Sequence, residues 1–273
     1  MKRQSFTLAY LTTAPMEPVE ALSLARSLGY SAIAVRLAPL TPGGHYSPLA
    51  ENAALLREAL ARIRDTGVSV FDIEGVRLDE PFRRGSFDRQ LDTAKALGAR
   101  VLTVIGDDPN EEAMTTSFAE LCDSAAPEIL VALEFMPYCH VPNADSALRL
   151  VRRAHRANAR IVCDVLHAHR SGMGPAQVPT IPPHYWSHAQ LCDAPSEIPI
   201  TRDALIYTAR SARLLPGTGA IDVRGMVHAL PDDLPLSVEV PSTEQLARLG
   251  AYEWARRALL ATSQAIDNER SDV

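Results

Sequence analysis

The sequence predicts an α/β fold, a single (β/α)8 TIM barrel occupying residues 1–273 as one domain. Three observations carry that prediction. Eight short apolar, β-rich runs alternate with longer amphipathic runs. Several amphipathic runs end on a glycine just before the next strand, where a left-handed cap is useful. The length allows eight units of about 34 residues each, the customary size of this barrel.

The strands are expected at 6–10, 32–37, 68–74, 101–105, 129–134, 160–164, 186–192 and 236–240, with helices at 18–28, 48–65, 86–97, 111–125, 144–158, 201–213, 223–230 and 243–266. Gly29, Gly67 and Gly98 punctuate three of the helix-to-strand junctions. Repeated βα units pair in parallel. The competing arrangement is an open doubly wound sheet, but no glycine-rich dinucleotide turn follows the first strand. No composition shift, repeat period or low-complexity tract divides the chain. Two connections are long, 38–47 with its Pro42-Gly43-Gly44-His45-Tyr46 turn and 167–184, and long loops on a compact barrel are usually functional.

Composition excludes several classes. Hydrophobic residues make up 47% and charged residues 22%, with 14 glycines and 20 prolines, an ordinary globular balance. The net charge of −6 comes without a basic stripe, so nucleic acid is not an expected partner. Four separated cysteines, Cys122, Cys139, Cys163 and Cys192, form no C-x-x-C pair and suggest a reducing, cytoplasmic compartment. The basic start, Met1-Lys2-Arg3-Gln4, precedes an apolar stretch too short for a signal sequence. No membrane association is expected either, because the longest uncharged stretch, 171–192, is broken by Pro175, Pro179, Pro182 and Pro183.

The chemistry lies in how the last four strands end. Strand five closes on Glu134, strand six on Asp164 and strand eight on Glu239, while strand seven carries Gln190. In a barrel these ends share one mouth, so three carboxylates and an amide converge. Crowded carboxylates raise one another's pKa, and a divalent cation removes that penalty. All-oxygen ligation suits one Mn²⁺ or Mg²⁺, with Co²⁺ or Zn²⁺ as alternatives. His188 shares the parity of Gln190 one layer deeper and becomes the ligand if the register slips by two. On strand two, Ala32, Ala34 and Arg36 face the barrel, and on strand three Glu74 reaches the rim. Candidate substrate contacts are Arg36, His45, Glu74, Arg170 and Asp193. Arg210 and Arg213 read as solvated helix residues, and Cys139-His140 as loop packing.

The segments Leu133-Glu134-Phe135, Cys163-Asp164-Val165-Leu166-His167, His188-Ala189-Gln190-Leu191-Cys192-Asp193-Ala194-Pro195, Leu215-Pro216-Gly217-Thr218-Gly219-Ala220-Ile221-Asp222 and Val238-Glu239-Val240-Pro241 resemble the xylose isomerase-like TIM barrels, the sugar phosphate isomerase/epimerase superfamily. That resemblance implies Glu134, Asp164, Gln190 and Glu239 as metal ligands. It also implies Glu134 and Glu239 as an acid/base pair and His167 as a contact to substrate oxygens. The implied activity is isomerisation or epimerisation of a small sugar, sugar phosphate or hydroxy-keto acid by proton transfer through a metal-stabilised enediolate. A dehydratase of the 3-dehydroshikimate or inosose type is the alternative on the same site. An endonuclease IV-like nuclease is more distant, since strands two and four end in Arg36-Leu37 and Ile105-Gly106 rather than in further histidines. A small molecule is the expected partner, and the resemblance implies a homodimer or homotetramer. One departure stands out: Thr218 replaces the glutamate of the family's usual Pro-Gly-Glu-Gly.

Overall fold

The computed structural model describes residues 5–80, 82 and 84–267, so the basic start lies outside the described residues. The chain runs β1 (Phe6–Leu8), α1 (Tyr10–Thr13), α2 (Pro18–Leu28), β2 (Ala32–Val35), α3 (Ala53–Thr66), β3 (Ser69–Leu78), α4 (Asp88–Leu97), β4 (Val101–Gly106), α5 (Glu111–Ala125) and β5 (Leu130–Glu134). It continues through α6 (Ala144–Ala154), β6 (Ala159–Asp164), α7 (Val165–Arg170), β7 (Trp186–Leu191), α8 (Arg202–Ser211), α9 (Val223–Ala229), β8 (Leu236–Val238) and α10 (Thr243–Asp267). All eight strands pair in parallel in sequence order, and β8 closes on β1 with Phe6 opposite Leu236 and Leu8 opposite Val238. The open-sheet alternative is thereby excluded: the fold is a (β/α)8 TIM barrel.

The helices start where short polar side chains accept otherwise unpaired backbone N–H groups. Asn52 caps α3, Asn110 caps α5, and Asn143 with Ser146 forms a reciprocal capping box on α6. At the other ends Gly29, Gly67 and Gly98 adopt φ of 93°, 67° and 72°, the left-handed caps expected from their spacing.

Strand parity sorts the core. Ile33, Val35 and Leu37 join the layer between sheet and helices, with Phe118, Leu133 and Phe135 fully buried there. Ala32, Phe71, Val101, Ala132 and Val162 fill the lower barrel interior. That inner plug is small, so the upper barrel is left to polar side chains.

Three differences from expectation bear on the site. β3 continues four residues past Glu74 to Leu78, because its register on β4 shifts between Ile73 and Val76 around Gly75. The first strand stops at Leu8, and Tyr10–Thr13 turns helical. A short helix, α7, follows Asp164 directly, in the segment expected to be loop. Among the described residues, no helix is long and apolar enough to cross a membrane.

Candidate metal centre in the barrel mouth

Each acid at the mouth is aimed by its strand. Asp164 ends β6 and also caps α7: its Oδ1 accepts N–H bonds from Leu166 (2.8 Å) and His167 (3.1 Å). That turn brings His167 back over the barrel, with Nε2 at 3.9 Å from Glu134 Oε1 and the ring edge-on to Tyr138. Glu134, Asp164 and His167 each offer a ligand atom within 4.8 Å of the others. The sheet register sets Gln190 beside Asp164 and His188 beside Val162, one layer lower. His188 packs edge-on against Phe71 of the inner plug, so it lies below the mouth and Gln190 stands level with the acids.

The close trio holds Glu134 and Asp164, two of the four expected ligands, with His167 beside them. Glu239 faces Arg213. One nitrogen of that arginine, Nη1, lies 2.7 Å from Asp164 Oδ2 and 3.1 Å from Glu239 Oε2, with all three side chains at most 3% exposed. Arg213 was expected on a solvated helix face, and the structure corrects this. Antiparallel bridges pair Leu214 with Asp193 and Ala212 with Ser242, and Arg213 N–H donates to the Pro241 carbonyl at 3.0 Å. The residue is therefore clamped between the ends of β7 and β8 and turned inward.

The donor set fits a divalent cation. Gln190 Oε1 and His167 Nδ1 are buried without hydrogen-bond partners, a costly arrangement unless a ligand engages them. Burial, reinforced by Asp164, pushes the Glu134 carboxyl well above the usual carboxylate range. Burial also raises Glu239, against the opposing pull of Arg213. For Asp164 burial acts in the same direction but is outweighed by Arg213 and His167, and its carboxyl falls well below the usual range. Burial holds His167 down to about 4, hence a neutral imidazole at pH 7. Glu134, Gln190 and Glu239 would complete the hold on a cation anchored at Asp164, with His167 beside it.

The family model of the xylose isomerase-like TIM barrels matches residues 22–261. The chain belongs to that family. No curated protein is a significant match by sequence. Among solved structures, this xylose isomerase-like barrel is similar to the IolI protein with a bound zinc atom, at 21% identity over 98% of this chain and 100% of that one, TM-score 0.78. D-allulose 3-epimerase from Methylomonas sp. in complex with D-allulose gives 16% identity, 97% and 98% coverage and a TM-score of 0.71. A xylose isomerase-like TIM barrel/4-hydroxyphenylpyruvate dioxygenase fusion protein gives 18% identity and a TM-score of 0.78 over 97% of this chain, which spans only 43% of that protein's length. A probable 3-DHS dehydratase from Bacillus anthracis has the same fold at 13% identity. At these identities the likeness is one of fold.

The expected substrate contacts separate in this xylose isomerase-like barrel. Arg36 and Glu74 line the mouth recess with Glu134, His167 and Glu239. Arg170 does not, because its guanidinium donates to the carbonyls of Glu197 (2.5 Å) and Pro195 (3.4 Å) and braces the segment after β7. Asp193 is likewise committed. It is fully buried, and its carboxylate accepts N–H bonds from Ala194, Gly217, Gly219 and Ile221 at 2.8 to 3.0 Å. Thr218, in place of the usual glutamate, sits exposed on this loop and donates to the Leu215 carbonyl at 2.7 Å. His45 is bonded to the Tyr10 hydroxyl (2.7 Å) and set beside Glu17 (3.4 Å), outside the recess. Besides Arg213, sequence reasoning missed Tyr138, which lines the recess and meets His167 edge-on.

Proposed function

We propose that this chain is a divalent-metal-dependent isomerase or epimerase. It would move a proton on the carbon beside the carbonyl of a small α-hydroxy carbonyl compound. The supporting observation is the pair of buried glutamates, Glu134 and Glu239, lining one recess beside Asp164 and His167, where burial pushes both carboxyls above the usual carboxylate range. A bound divalent cation supplies positive charge where the substrate oxygens develop negative charge.

The protein's own groups do the rest. One glutamate takes the carbon-bound proton, and the other returns a proton to the same or the adjacent carbon. Neutral His167 orients a substrate oxygen, and the Arg213 guanidinium keeps Asp164 ionised as a ligand. With oxygen donors from Glu134, Asp164, Gln190 and Glu239, Mn²⁺ or Mg²⁺ is the proposed ion, and the zinc in the IolI structure keeps Zn²⁺ in the comparison. The unpaired cysteines support a cytoplasmic setting.

The test is incubation of Mn²⁺-loaded protein with keto-sugars and keto-acids in D₂O. Carbon-bound deuterium without loss of water is expected, whereas an enone or keto-deoxy product would mean dehydration instead. Glu239→Gln should lower exchange by about 10²–10⁴-fold with the fold intact, since one positioned proton-transfer group is worth that much. Retained exchange, or less than about a tenth of an equivalent of metal after loading, overturns the proposal.

A further inference from the structure

The recess that holds Glu134 and Glu239 is small. Its free volume is about 30 Å³, room for a cation or about two waters, whereas pockets for organic ligands begin at about 300 Å³. No α-hydroxy carbonyl compound fits it in this form. Beside it lies a bay of about 540 Å³, just past the ends of β4 and β5 and against α8, with Asp107, His140, Arg202 and Leu205 in its walls.

Tyr138 divides the two spaces. Among the described residues it alone lines both. The helix α8 runs past both as well, with Arg202 and Leu205 on the bay and Ala209 on the recess, so the spaces are neighbours along one helix.

The Tyr138 backbone is fixed, but its side chain is not. Met136 N–H donates to the Val141 carbonyl and Cys139 N–H to the Met136 carbonyl, both at 2.9 Å, and Arg202 Nε donates to the Tyr138 carbonyl at 3.2 Å. The half-buried ring meets His167 edge-on, 5.6 Å between centroids, yet its hydroxyl has no hydrogen-bond partner among the described residues. The buried tyrosines differ, since the Tyr10 hydroxyl bonds to His45 and that of Tyr30 to the Ala255 carbonyl. A side chain held by no hydrogen bond changes rotamer without disturbing its turn. Leu40 also lines the recess, but His45 ties its 38–47 loop to Tyr10 and Glu17, and Leu40 does not reach the bay.

We infer that Tyr138 is a swinging gate that sets what the mouth accepts: when its ring turns aside, recess and bay join, and the bay takes the end of the substrate remote from the reacting carbon. Asp107, His140 and Arg202 offer that end an acceptor and donors for hydroxyl groups. The substrate class is then an α-hydroxy carbonyl compound with a polar extension, not a bare three-carbon one. Which end reacts rests on the proton-transfer reading.

Thiol labelling tests the gate without metal or turnover. Met136→Cys puts a reporter in the recess, to be labelled by methyl methanethiosulfonate or by a methanethiosulfonate that carries a hexose, with the labelled peptide followed by mass spectrometry. Only the open form admits reagent, so the rates follow the open fraction. Adding Tyr138→Ala should speed both reagents by about tenfold or more, while adding Leu40→Ala should change them less than about twofold. Leu205→Trp crowds the bay and should slow the hexose reagent by about fivefold or more, the methyl reagent by less than about twofold. Ile105→Cys, also in the recess, serves as reporter where Met136→Cys does not fold. The inference is overturned if Tyr138→Ala leaves both rates within about twofold, if Leu40→Ala speeds them as much, or if Leu205→Trp treats the two reagents alike. Failure of the proton-transfer reading shows differently, as absent deuterium exchange with the labelling pattern intact.

Discussion

Arg213→Met tests the electrostatic account of the mouth. The substitution keeps an unbranched apolar stem but removes the guanidinium shared by Asp164 and Glu239, where the exposures are 2%, 0% and 3%. It leaves two carboxylates buried without their counter-charge, and breaking a buried pair in this way costs about 3 to 5 kcal/mol. For 273 residues the unfolding entropy near the midpoint is about 0.57 kcal/mol/K, so the metal-free melting temperature should fall by about 5 to 9 °C. A divalent ion restores the missing positive charge, so saturating Mn²⁺ should raise the melting temperature of the variant more than that of the wild type. The assay is a pair of thermal melts, one with EDTA and one with Mn²⁺, for each protein. A metal-free loss below about 1 kcal/mol would refute the reasoning, because it would put Arg213 among surface ion pairs of little worth. Equal Mn²⁺ shifts in both proteins would refute the idea that cation and guanidinium compensate the same carboxylates.

Two further predictions concern the frame around the site. Asp193→Ala removes the common acceptor of four N–H groups on Ala194, Gly217, Gly219 and Ile221, and should cost about 3 kcal/mol or more in urea denaturation, since orphaned buried donors are expensive; a loss below about 1 kcal/mol would show the 214–221 loop to be held otherwise. Burial pushes the thiols of Cys122, Cys139 and Cys192 up to about 12 and raises Cys163 as well, so all four stay protonated at pH 8. A thiol-specific chromogenic reagent should therefore react slowly with the native protein and release four equivalents on unfolding, and fast native reaction of any one thiol would contradict that burial.

What could be read from the sequence follows from how local each signal is. A strand such as Leu130–Glu134 announces itself in its own residues, an apolar run closed by one acid, and closure of the barrel follows from eight such runs in series. The positions of Glu134, Asp164, Gln190 and Glu239 on or just past four consecutive strands were legible for the same reason. His167 was expected near the mouth, but its approach to the acids depends on Asp164 capping a helix in a segment rich in glycine, proline and histidine. Arg213 and Asp193 changed places. Arg213 looks like a helix-end charge and Asp193 like a rim acid, because sequence does not show the bridges that join 193 to 214 and 212 to 242. Those contacts span 21 and 30 residues, outside any local window. Arg170 was misassigned on the same account, since its partners Pro195 and Glu197 lie across α7 and β7.

The same bridges explain why the mouth can hold so many acids. Asp193 gathers the loop by its backbone N–H groups, the loop pairs back onto β7 and the end of β8, and this pairing delivers Arg213 between Asp164 and Glu239. The guanidinium is held from behind as well, with Nε donating to the Ala209 carbonyl at 2.7 Å and Nη1 reaching Cys192 Sγ at 3.4 Å. A lysine could supply the charge but not this fork, since an ammonium has no planar array of donors to share between carbonyl, sulfur and two carboxylates. Arg36 is pinned in the same mouth by Glu74 and the Tyr10 ring, so both arginines are fixed by neighbours delivered from other elements of the barrel.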